Sequence, residues 1–220
     1  MMTRWFVAGA HTDVGKTYVA CGLITSARAR GRSVEAFKPA VSGLDPEDWA
    51  DSDPGRLLAA LGRPLSPETL QAMSPLRFKA ALSPPMAARR EGQDLRLQAM
   101  VDLCMAALSE ATADLMLIEG AGGVMSPLCE DATNLDLMAA LGLPVLLVGG
   151  SYLGSISHTL TAASVIQARG LELVAVVLSQ DADPTAPDFA ETLADVAHFL
   201  PGVRVIPAPR HGQAWAEALI

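Results

Sequence analysis

The sequence has few cysteines and few aromatic residues. Its three cysteines, Cys21, Cys104 and Cys129, are far apart, with no Cys-x-x-Cys pair and no histidine at ligand spacing. This pattern indicates reduced thiols rather than disulfide bridges or a zinc site. Aromatic residues make up 5% of a chain that is half hydrophobic, so aliphatic residues must fill the core, as in parallel sheets covered by helices.

Basic residues and long apolar runs are also scarce. The formal net charge is −8, which opposes binding to nucleic acid and to anionic lipid. No apolar run reaches the length of a membrane span, and residues 1–10 lack the basic, long-apolar and cleavage-site regions of a secretory signal. We therefore expect no nucleic-acid partner, no membrane partner and a cytoplasmic location.

Short apolar runs alternate with segments of helical length. The runs lack the strict polar alternation of half-exposed strands, which is typical of strands buried on both faces. This order predicts one domain over residues 1–220, with an α/β fold and a doubly wound, mainly parallel sheet. Predicted strands cover residues 5–8, 34–37, 115–118, 145–148, 173–178 and 203–206, and predicted helices cover residues 16–30, 54–61, 95–110, 134–141, 156–169 and 187–200.

Residues 63–92 interrupt this alternation. Five prolines in this stretch prevent any long regular helix. Loops of this length are often, but not always, functional. The segment is therefore either a surface excursion near the active site or a connection that has no part in it.

A glycine-rich loop follows the first predicted strand and leads into the first predicted helix. It runs Gly-Ala-His-Thr-Asp-Val-Gly-Lys-Thr from Gly9 to Thr17, in the context expected of a phosphate-binding loop in a P-loop NTPase fold. Gly15 lets the backbone amides turn inward, and the helix N-terminus adds positive potential. Lys16 is placed to bridge the β- and γ-phosphates, and Thr17 offers a hydroxyl to Mg²⁺.

Two acidic residues are candidates for completing the Mg²⁺ site, because this ion takes hard oxygen ligands. Glu119 ends a predicted strand at the sheet edge where ligands of open α/β folds gather. Asp53 is the second candidate, although Ser52 or Asp53 before Pro54 is also a good helix N-cap. Asp13, inside the phosphate loop, either acts near the phosphates or is a solvated loop carboxylate.

A second lysine ends the second predicted strand. Lys38 precedes Pro39, which fixes the direction in which the chain leaves the strand. In a doubly wound sheet this strand end lies beside the phosphate loop, where a cation stabilises charge that develops during phosphoryl transfer. A solvated surface lysine is the commoner alternative.

Together these motifs resemble the dethiobiotin synthetase family over nearly the whole chain. The resemblance implies ATP-dependent closure of a cyclic urea from 7,8-diaminononanoate and CO₂ by a Mg²⁺-dependent homodimer. It rests on residues 9–17 with five residues between the glycines, on Lys38-Pro39 with Ser42-Gly43, on Ser52-Asp53, on Glu119-Gly120-Ala121-Gly122-Gly123, and on Leu153-Gly154 with His158.

The resemblance also implies roles for individual residues. Lys16 and Lys38 are the expected catalytic residues, and Thr17, Asp53 and Glu119 are the expected Mg²⁺ ligands. The expected ATP-binding residues are Asp13, Val14, Gly15, Lys16, Thr17, Tyr18, Asp53, Glu119, Gly120, Ala121, Gly122, Ser179, Gln180, Pro207, Ala208 and Pro209. The expected substrate-binding residues are Thr12, Ser42, Gly122, Gly154 and Ser155.

One departure from the family and two alternatives remain open at this level. Where the family carries Asn-Asp to read adenine, this chain has Ser179-Gln180 before Asp181, which leaves the nucleobase undecided although Gln180 offers an amide donor and acceptor. Ligases that amidate corrin carboxylates share the phosphate loop but use a glutaminase domain. ATP-switch proteins of partitioning and cell-division positioning share it too, but carry a signature lysine where this chain has His11.

Overall fold

The structure is a computed structural model that describes residues 2–44, 48–212 and 214–220. Strands and helices alternate along most of the chain, which ends in a 3₁₀ helix at Ala214–Ala218. The strands are β1 (Thr3–Gly9), β2 (Val34–Phe37), β3 (Ala40–Ser42), β4 (Leu76–Phe78), β5 (Leu115–Glu119), β6 (Val145–Gly150), β7 (Leu173–Ser179) and β8 (Val205–Ala208). The helices are α1 (Lys16–Ala29), α2 (Asp53–Ala60), α3 (Pro67–Met73), α4 (Pro84–Arg90), α5 (Leu97–Glu110), α6 (Asn134–Leu141), α7 (Ser155–Ala168) and α8 (Phe189–Phe199).

The main sheet has six parallel strands in the order β2-β5-β1-β6-β7-β8. From β1 the chain builds first toward the β2 edge and later toward the β8 edge. Such a reversal of strand order opens a crevice at the carboxyl ends of the central strands, where ligands of open α/β sheets bind. The carboxyl ends of β1, β2 and β5 therefore locate the candidate site.

Hydrophobic side chains cover both faces of this sheet. On β1, Phe6 and Val7 are both fully buried but belong to different core clusters, because successive strand residues point to opposite faces. Helices α1 and α2 and the 3₁₀ helix pack on the face of Val7. Helices α5 to α8 pack on the face of Phe6. This arrangement confirms the doubly wound α/β fold that the sequence predicts.

The predicted elements shift by a few residues at their ends. The last strand is Val205–Ala208 rather than residues 203–206, and the last helix is Phe189–Phe199 rather than 187–200. Helix ends fray and are the least determined part of a pattern-based prediction. None of the helices in the described ranges is long and apolar enough to cross a bilayer.

Residues 63–92 hold regular structure that the sequence pattern did not predict. Two seven-residue helices, α3 and α4, flank the three-residue strand β4, which pairs in parallel with β3. Each helix begins at a proline that follows a serine, and proline is well suited to the first turn. The prolines thus start short helices here, and the strands are too short to show a period.

Candidate active site

The phosphate loop connects β1 to α1 in a conformation that depends on its glycines. Gly15 has φ +99, and a Cβ added there would overlap the Ser179 side chain. A Cβ on Gly9 would lie 2.8 Å from the His11 carbonyl oxygen and 2.9 Å from Lys16 Cδ. The loop therefore folds closely around Lys16, whose side chain is buried, and α1 begins with its N-terminus toward the loop.

Four charged side chains meet where β1, β2 and β5 end. Lys38 Nζ donates to Glu119 Oε1 at 2.6 Å and lies 3.0 Å from Asp53 Oδ2. Thr17 Oγ1 donates to the same Glu119 oxygen at 2.7 Å. Lys38 and Glu119 are each 1% exposed, so this ion pair is removed from water. Lys16 lies close enough to feel the charges of Lys38, Glu119 and Asp53.

The electrostatics of this cluster favour an ionised Lys38 and Asp53. Burial acts to lower the pKa of Lys38, but the carboxylates of Glu119 and Asp53 outweigh it and raise the pKa above its ordinary value. Burial acts to raise the pKa of Asp53, but the Lys38 ammonium lowers it below the usual range. The pKa of Lys16 is lowered by burial and then by the nearby Lys38 charge.

Asp53 reaches this cluster because its neighbour caps the helix. Ser52 is the N-cap of α2, and its hydroxyl accepts a bond from the Gly55 amide at 3.2 Å. Asp53 occupies the first helical position, followed by Pro54. The two interpretations of this segment are therefore reconciled, since Ser52 satisfies the helix end and leaves the Asp53 carboxylate for Lys38.

The oxygen atoms at this point fit a magnesium ion. Glu119 Oε2 is buried without a hydrogen-bond partner among the described residues. The Thr17 hydroxyl contacts the other Glu119 oxygen and the Asp53 carboxylate. Within the described ranges no group of three or more His, Cys, Asp or Glu side chains forms a metal cage. Mg²⁺ ordinarily uses one or two carboxylates and takes its other oxygens from phosphates and water, so the set is sufficient.

A cavity of about 400 Å³ opens beside the phosphate loop, next to Thr12 and Asp13. Three of the predicted substrate-binding residues, Thr12, Ser42 and Gly122, line it together. Residues 81–84 of the proline-rich segment complete its wall. The segment therefore lies at the candidate site, which favours the first of its two interpretations.

The glycine-rich turn after Glu119 is held in shape by a helix start. The Asn134 side chain donates to the carbonyls of Ala121 and Gly123, the latter at 2.9 Å. Ser126 Oγ accepts a bond from the Gly123 amide at 2.8 Å. Sequence reasoning missed Asn134 and Ser126. A buried asparagine at the first position of α6 becomes meaningful only when the turn is seen beside it.

Two further cavities extend from the phosphate loop toward β7 and β8. The first, of about 260 Å³, is lined by the predicted loop residues Asp13, Gly15, Lys16, Thr17 and Tyr18, by Asp53, and by Arg56 and Arg210. The second, of about 570 Å³, is lined by Gln180, the residues that follow it, and again Arg210. Sequence reasoning missed both arginines, because neither belongs to a recognisable motif.

The predicted nucleotide residues do not all face these cavities. Ser179 is buried against Gly15, beneath the loop. The Gln180 amide donates to the Ala208 carbonyl at 3.0 Å, and the Tyr18 hydroxyl donates to the Pro209 carbonyl. Val14 and Gly120 are buried, Ala121 joins Gly122 at the 400 Å³ cavity, and Pro207 is exposed on β8.

Gly154 and Ser155 lie apart from the other predicted substrate residues. They line a different cavity of about 580 Å³ at the start of α7. Ser155 is 1% exposed, and its hydroxyl has no partner among the described residues. Within one chain the structure therefore does not bring them into the cavity of Thr12 and Ser42. The His158 ring stacks on His11 at a centroid distance of 5.3 Å, so the two regions are neighbours.

Comparison with known proteins identifies the family. A family model described as an AAA domain matches residues 3–208. The ATP-dependent dethiobiotin synthetase BioD of Phenylobacterium zucineum (strain HLK1) is 59% identical over 99% of this chain and 94% of its own length. The protein of the same name from Caulobacter vibrioides (strain NA1000 / CB15N) is 52% identical over 100% and 98%. The chain belongs to the dethiobiotin synthetase family.

Two solved structures of other proteins share the fold of this chain. The signal recognition particle receptor FtsY of Elizabethkingia anophelis aligns over 98% of this chain and 59% of its own, with 18% identity and a TM-score of 0.53. The MinC:MinD complex of Aquifex aeolicus aligns over 98% and 86%, with 11% identity and a TM-score of 0.58. Likeness at this identity concerns the fold alone, so the ATP-switch alternative is not favoured.

Proposed function

We propose that this chain catalyses ATP-dependent formation of dethiobiotin, ADP and phosphate from 7,8-diaminononanoate and CO₂. The high identity to dethiobiotin synthetases over nearly full length supports this activity. The observation that carries it is the meeting of Lys16, Lys38, Asp53 and Glu119 beside the cavity of Thr12 and Ser42. A nucleotide site and an acceptor site thus adjoin one charged cluster.

The reaction requires the protein to orient the reactants and to stabilise their negative charges. One amine of the diamine adds to CO₂ and loses a proton, which gives a carbamate. A carbamate oxygen attacks the γ-phosphorus and releases ADP, and the second amine then attacks the carbonyl carbon and expels phosphate. No covalent bond to the protein forms, so positioning and electrostatic stabilisation supply the rate.

The phosphate loop and its helix bind the nucleotide in this proposal. Backbone amides from Asp13 to Tyr18 hold the phosphates, and Lys16 contacts the β- and γ-phosphate oxygens. Thr17, Asp53 and Glu119 would hold Mg²⁺, which supplies charge neutralisation at the phosphate oxygens when it is bound. Glu119 Oε2, which is buried and has no partner in the part of the chain that the structure describes, supports this assignment.

Lys38 and Ser42 are the proposed carbamate ligands. Lys38 directly follows β2, and Ser42 is the last residue of β3. Ser42 lines the cavity of about 400 Å³ that Thr12 and Gly122 also line, which we call the acceptor cavity. Two anions, the carbamate and the γ-phosphoryl group, must approach each other, and a fixed ammonium group offsets their repulsion. The Lys38 ammonium is already held at the edge of the phosphate site by Glu119.

A homodimer is the proposed active assembly. Gly154 and Ser155 lie at the N-terminus of the fourteen-residue helix α7, which favours a carboxylate ligand. Because they are separate from the cavity of Thr12 and Ser42 in one chain, a second protomer would supply them to the substrate carboxylate. The resemblance to the family supports this arrangement.

The activity is tested by mixing purified protein with 7,8-diaminononanoate, bicarbonate and Mg-ATP. We expect dethiobiotin by mass spectrometry and an equal amount of released phosphate. A Lys16→Ala variant serves as the control for contaminating activity. Phosphate release that does not depend on the diamine would contradict the proposal.

A further inference from the structure

Arg210 lies between the cavity of about 260 Å³ at the phosphate loop and the cavity of about 570 Å³ beside Gln180. It lines both cavities, beside Lys16 and Tyr18 in one and beside Gln180 in the other. Its guanidinium carbon lies 5.4 Å from the centroid of the Tyr18 ring, a distance typical of a cation–π contact. An exposed arginine is thereby held over the first turn of α1.

Among the described residues, the guanidinium of Arg210 has no anionic partner. Within the described ranges it makes neither a hydrogen bond nor an ion pair, whereas Arg56 in the same cavity pairs with Asp51 at 3.7 Å. Five donors in a planar fork match the oxygens of a phosphate group. In a chain with a net charge of −8, an unpaired arginine facing an anion site is a candidate ligand for that anion.

The backbone around Arg210 is anchored to the site by two side chains. The Arg210 backbone amide donates to the Gln180 side-chain oxygen Oε1 at 3.2 Å, and the Gln180 backbone amide donates to the Ala208 carbonyl at 3.0 Å. The Tyr18 hydroxyl bonds the Pro209 carbonyl. Gln180 and Tyr18 thus tie the segment after β8 to the end of β7 and to α1, so Arg210 is fixed against the helix that follows the phosphate loop.

The order of residues along the loop indicates which phosphate Arg210 meets. Lys16, Thr17 and Asp53 gather at the end of the site where the β- and γ-phosphates belong. Tyr18 lies one residue further along α1, at the end of the loop that cradles the α-phosphate. The guanidinium lies over Tyr18 and opens toward the second cavity, where a nucleoside would continue.

We propose that Arg210 binds the α-phosphate of the nucleoside triphosphate, with Gln180 as a positioning residue that holds the Arg210 backbone. This proposal rests on the proposed function and adds a nucleotide ligand to it. Because the proposed contact is to a phosphate and not to a base, it should contribute equally to the binding of every nucleoside triphosphate. The Gln180 side-chain oxygen is engaged by the Arg210 backbone amide, which is the contact that gives Gln180 its positioning role.

Arg210→Ala tests the contact directly. A charged hydrogen bond is worth about 1.5–3 kcal/mol, so the KM for ATP is expected to rise on the order of 10- to 100-fold, with the KM for the diamine unmoved. ATP, CTP and GTP should each lose the same factor, and Arg210→Lys should recover part of it. Arg63→Ala is the matched control, because Arg63 is exposed and lines neither cavity.

Three outcomes would overturn the assignment. They are an unchanged KM for ATP, losses that differ between the three nucleotides, which would assign Arg210 to the base, and a rise in the KM for the diamine. Calorimetric binding of a non-hydrolysable ATP analogue gives the same comparison without turnover. A wild-type chain that binds the analogue but makes no dethiobiotin would therefore contradict the proposed function and not this one.

A double-mutant cycle tests the role of Gln180. Gln180→Met removes the acceptor at similar size, and we expect a smaller rise in the KM for nucleotide than Arg210→Ala causes. When Gln180→Met is combined with Arg210→Ala, the KM for nucleotide should rise little beyond the value for Arg210→Ala alone, because Gln180 acts through Arg210. Fully additive losses would show that Gln180 contacts the nucleotide independently and would overturn its positioning role.

Discussion

Two carboxylates raise the pKa of the buried Lys38 above its ordinary value, against the effect of its burial. Its side chain is buried at the end of β2, and Glu119 and Asp53 both lie within 3.0 Å of the ammonium group. A buried ion pair is weak evidence for stability as a whole, but removing one partner leaves the other charge uncompensated. The same geometry therefore links folding stability and proposed catalysis.

Lys38→Ala should reduce both stability and turnover. Leaving Glu119 buried without its partner is expected to lower the free energy of unfolding by about 3–5 kcal/mol, measured by urea denaturation. In the activity assay kcat should fall more than nucleotide affinity, because the proposed role of Lys38 is on developing charge. Lys79→Ala is the control, because Lys79 is exposed. An unchanged kcat would remove Lys38 from the mechanism.

At the residue scale, position along a strand predicted part of the site. Lys16, Lys38 and Glu119 follow recognisable strands, so the rule that ligands gather at the carboxyl edge of a parallel sheet was enough to bring them together. Arg210 and Asn134 were not predictable, because their partners Tyr18 and Ala121 become neighbours only through the packing of distant segments. A single sequence contains no signal for such contacts.

Helix α6 shapes the site through its first turn. Thr133 and Asp136 form a capping box, and Arg169 of the segment after α7 pairs with Asp136 at 3.0 Å. This start fixes Asn134, which holds the turn at residues 121–123. The cap therefore connects helix stability to the wall of the acceptor cavity.

Asp136→Asn is expected to lower the free energy of unfolding at pH 7 by about 0.5–2 kcal/mol, the usual cost of losing a cap. Bonds from the Thr133 backbone amide and hydroxyl, and then the Arg169 charge, lower the pKa of Asp136. Its contribution is therefore present above the ordinary value of about 3.9 and is lost as pH falls through the lowered value. Urea denaturation between pH 7 and 2 should show the two proteins converging in acid.

The matched control for this change is Asp102→Asn. Asp102 is an exposed carboxylate of α5 that accepts a bond from Gln98 at 2.8 Å. Its replacement should leave the free energy of unfolding within about 0.5 kcal/mol, as for most surface changes. A gap between wild type and Asp136→Asn that persists unchanged at pH 2 would contradict a role for the ionised carboxylate.

The pair β3 and β4 supports the acceptor cavity from outside the main sheet. Phe78 on β4 is 1% exposed, and the cavity wall at residues 81–84 follows directly after it. Phe78→Ala is expected to cost about 3–5 kcal/mol of unfolding free energy and to raise the KM for the diamine. Leu65→Ala in the same segment is the control, because Leu65 is 42% exposed. If Phe78→Ala has the same KM for the diamine as the wild type, β4 has no role in substrate binding.

At the element scale, length decided what the sequence could predict. The six strands of the main sheet and six helices of eight residues or more were recognisable because their apolar residues recur over several positions. β3 and β4 have three residues each, so no period could appear in them. Their pairing depends on contacts between residues 40–42 and 76–78, which local pattern does not encode.

At the scale of the whole molecule, a local cluster of positive side chains contrasts with a negative net charge. Lys16, Lys38 and Arg210 all lie at or beside the carboxyl edge of the sheet, although the chain carries −8. Local amides and cations, not the overall charge, set the potential at such a site. A net charge of −8 disfavours large polyanions at long range, which is consistent with the small nucleotide ligand that we propose.

The proposed substrate residues lie in two separate cavities, which makes the proposed homodimer testable by complementation. Lys38→Ala removes a residue of the phosphate side, and Ser155→Leu blocks the buried start of α7. Each variant alone should be inactive. If α7 serves the partner protomer, a mixed dimer of the two variants has one site that lacks both residues and one site that is intact.

Random exchange of the two variants in equal amounts should therefore restore about a quarter of the wild-type sites, because half of the dimers are mixed and each has one intact site. If Ser155 served its own chain, every site in the mixture would carry one lesion and activity would stay at the level of the separate variants. Size-exclusion chromatography with light scattering establishes that dimers form and exchange. Recovery requires that residues from two protomers meet at one substrate, so activity in the mixture distinguishes a shared site from two independent ones.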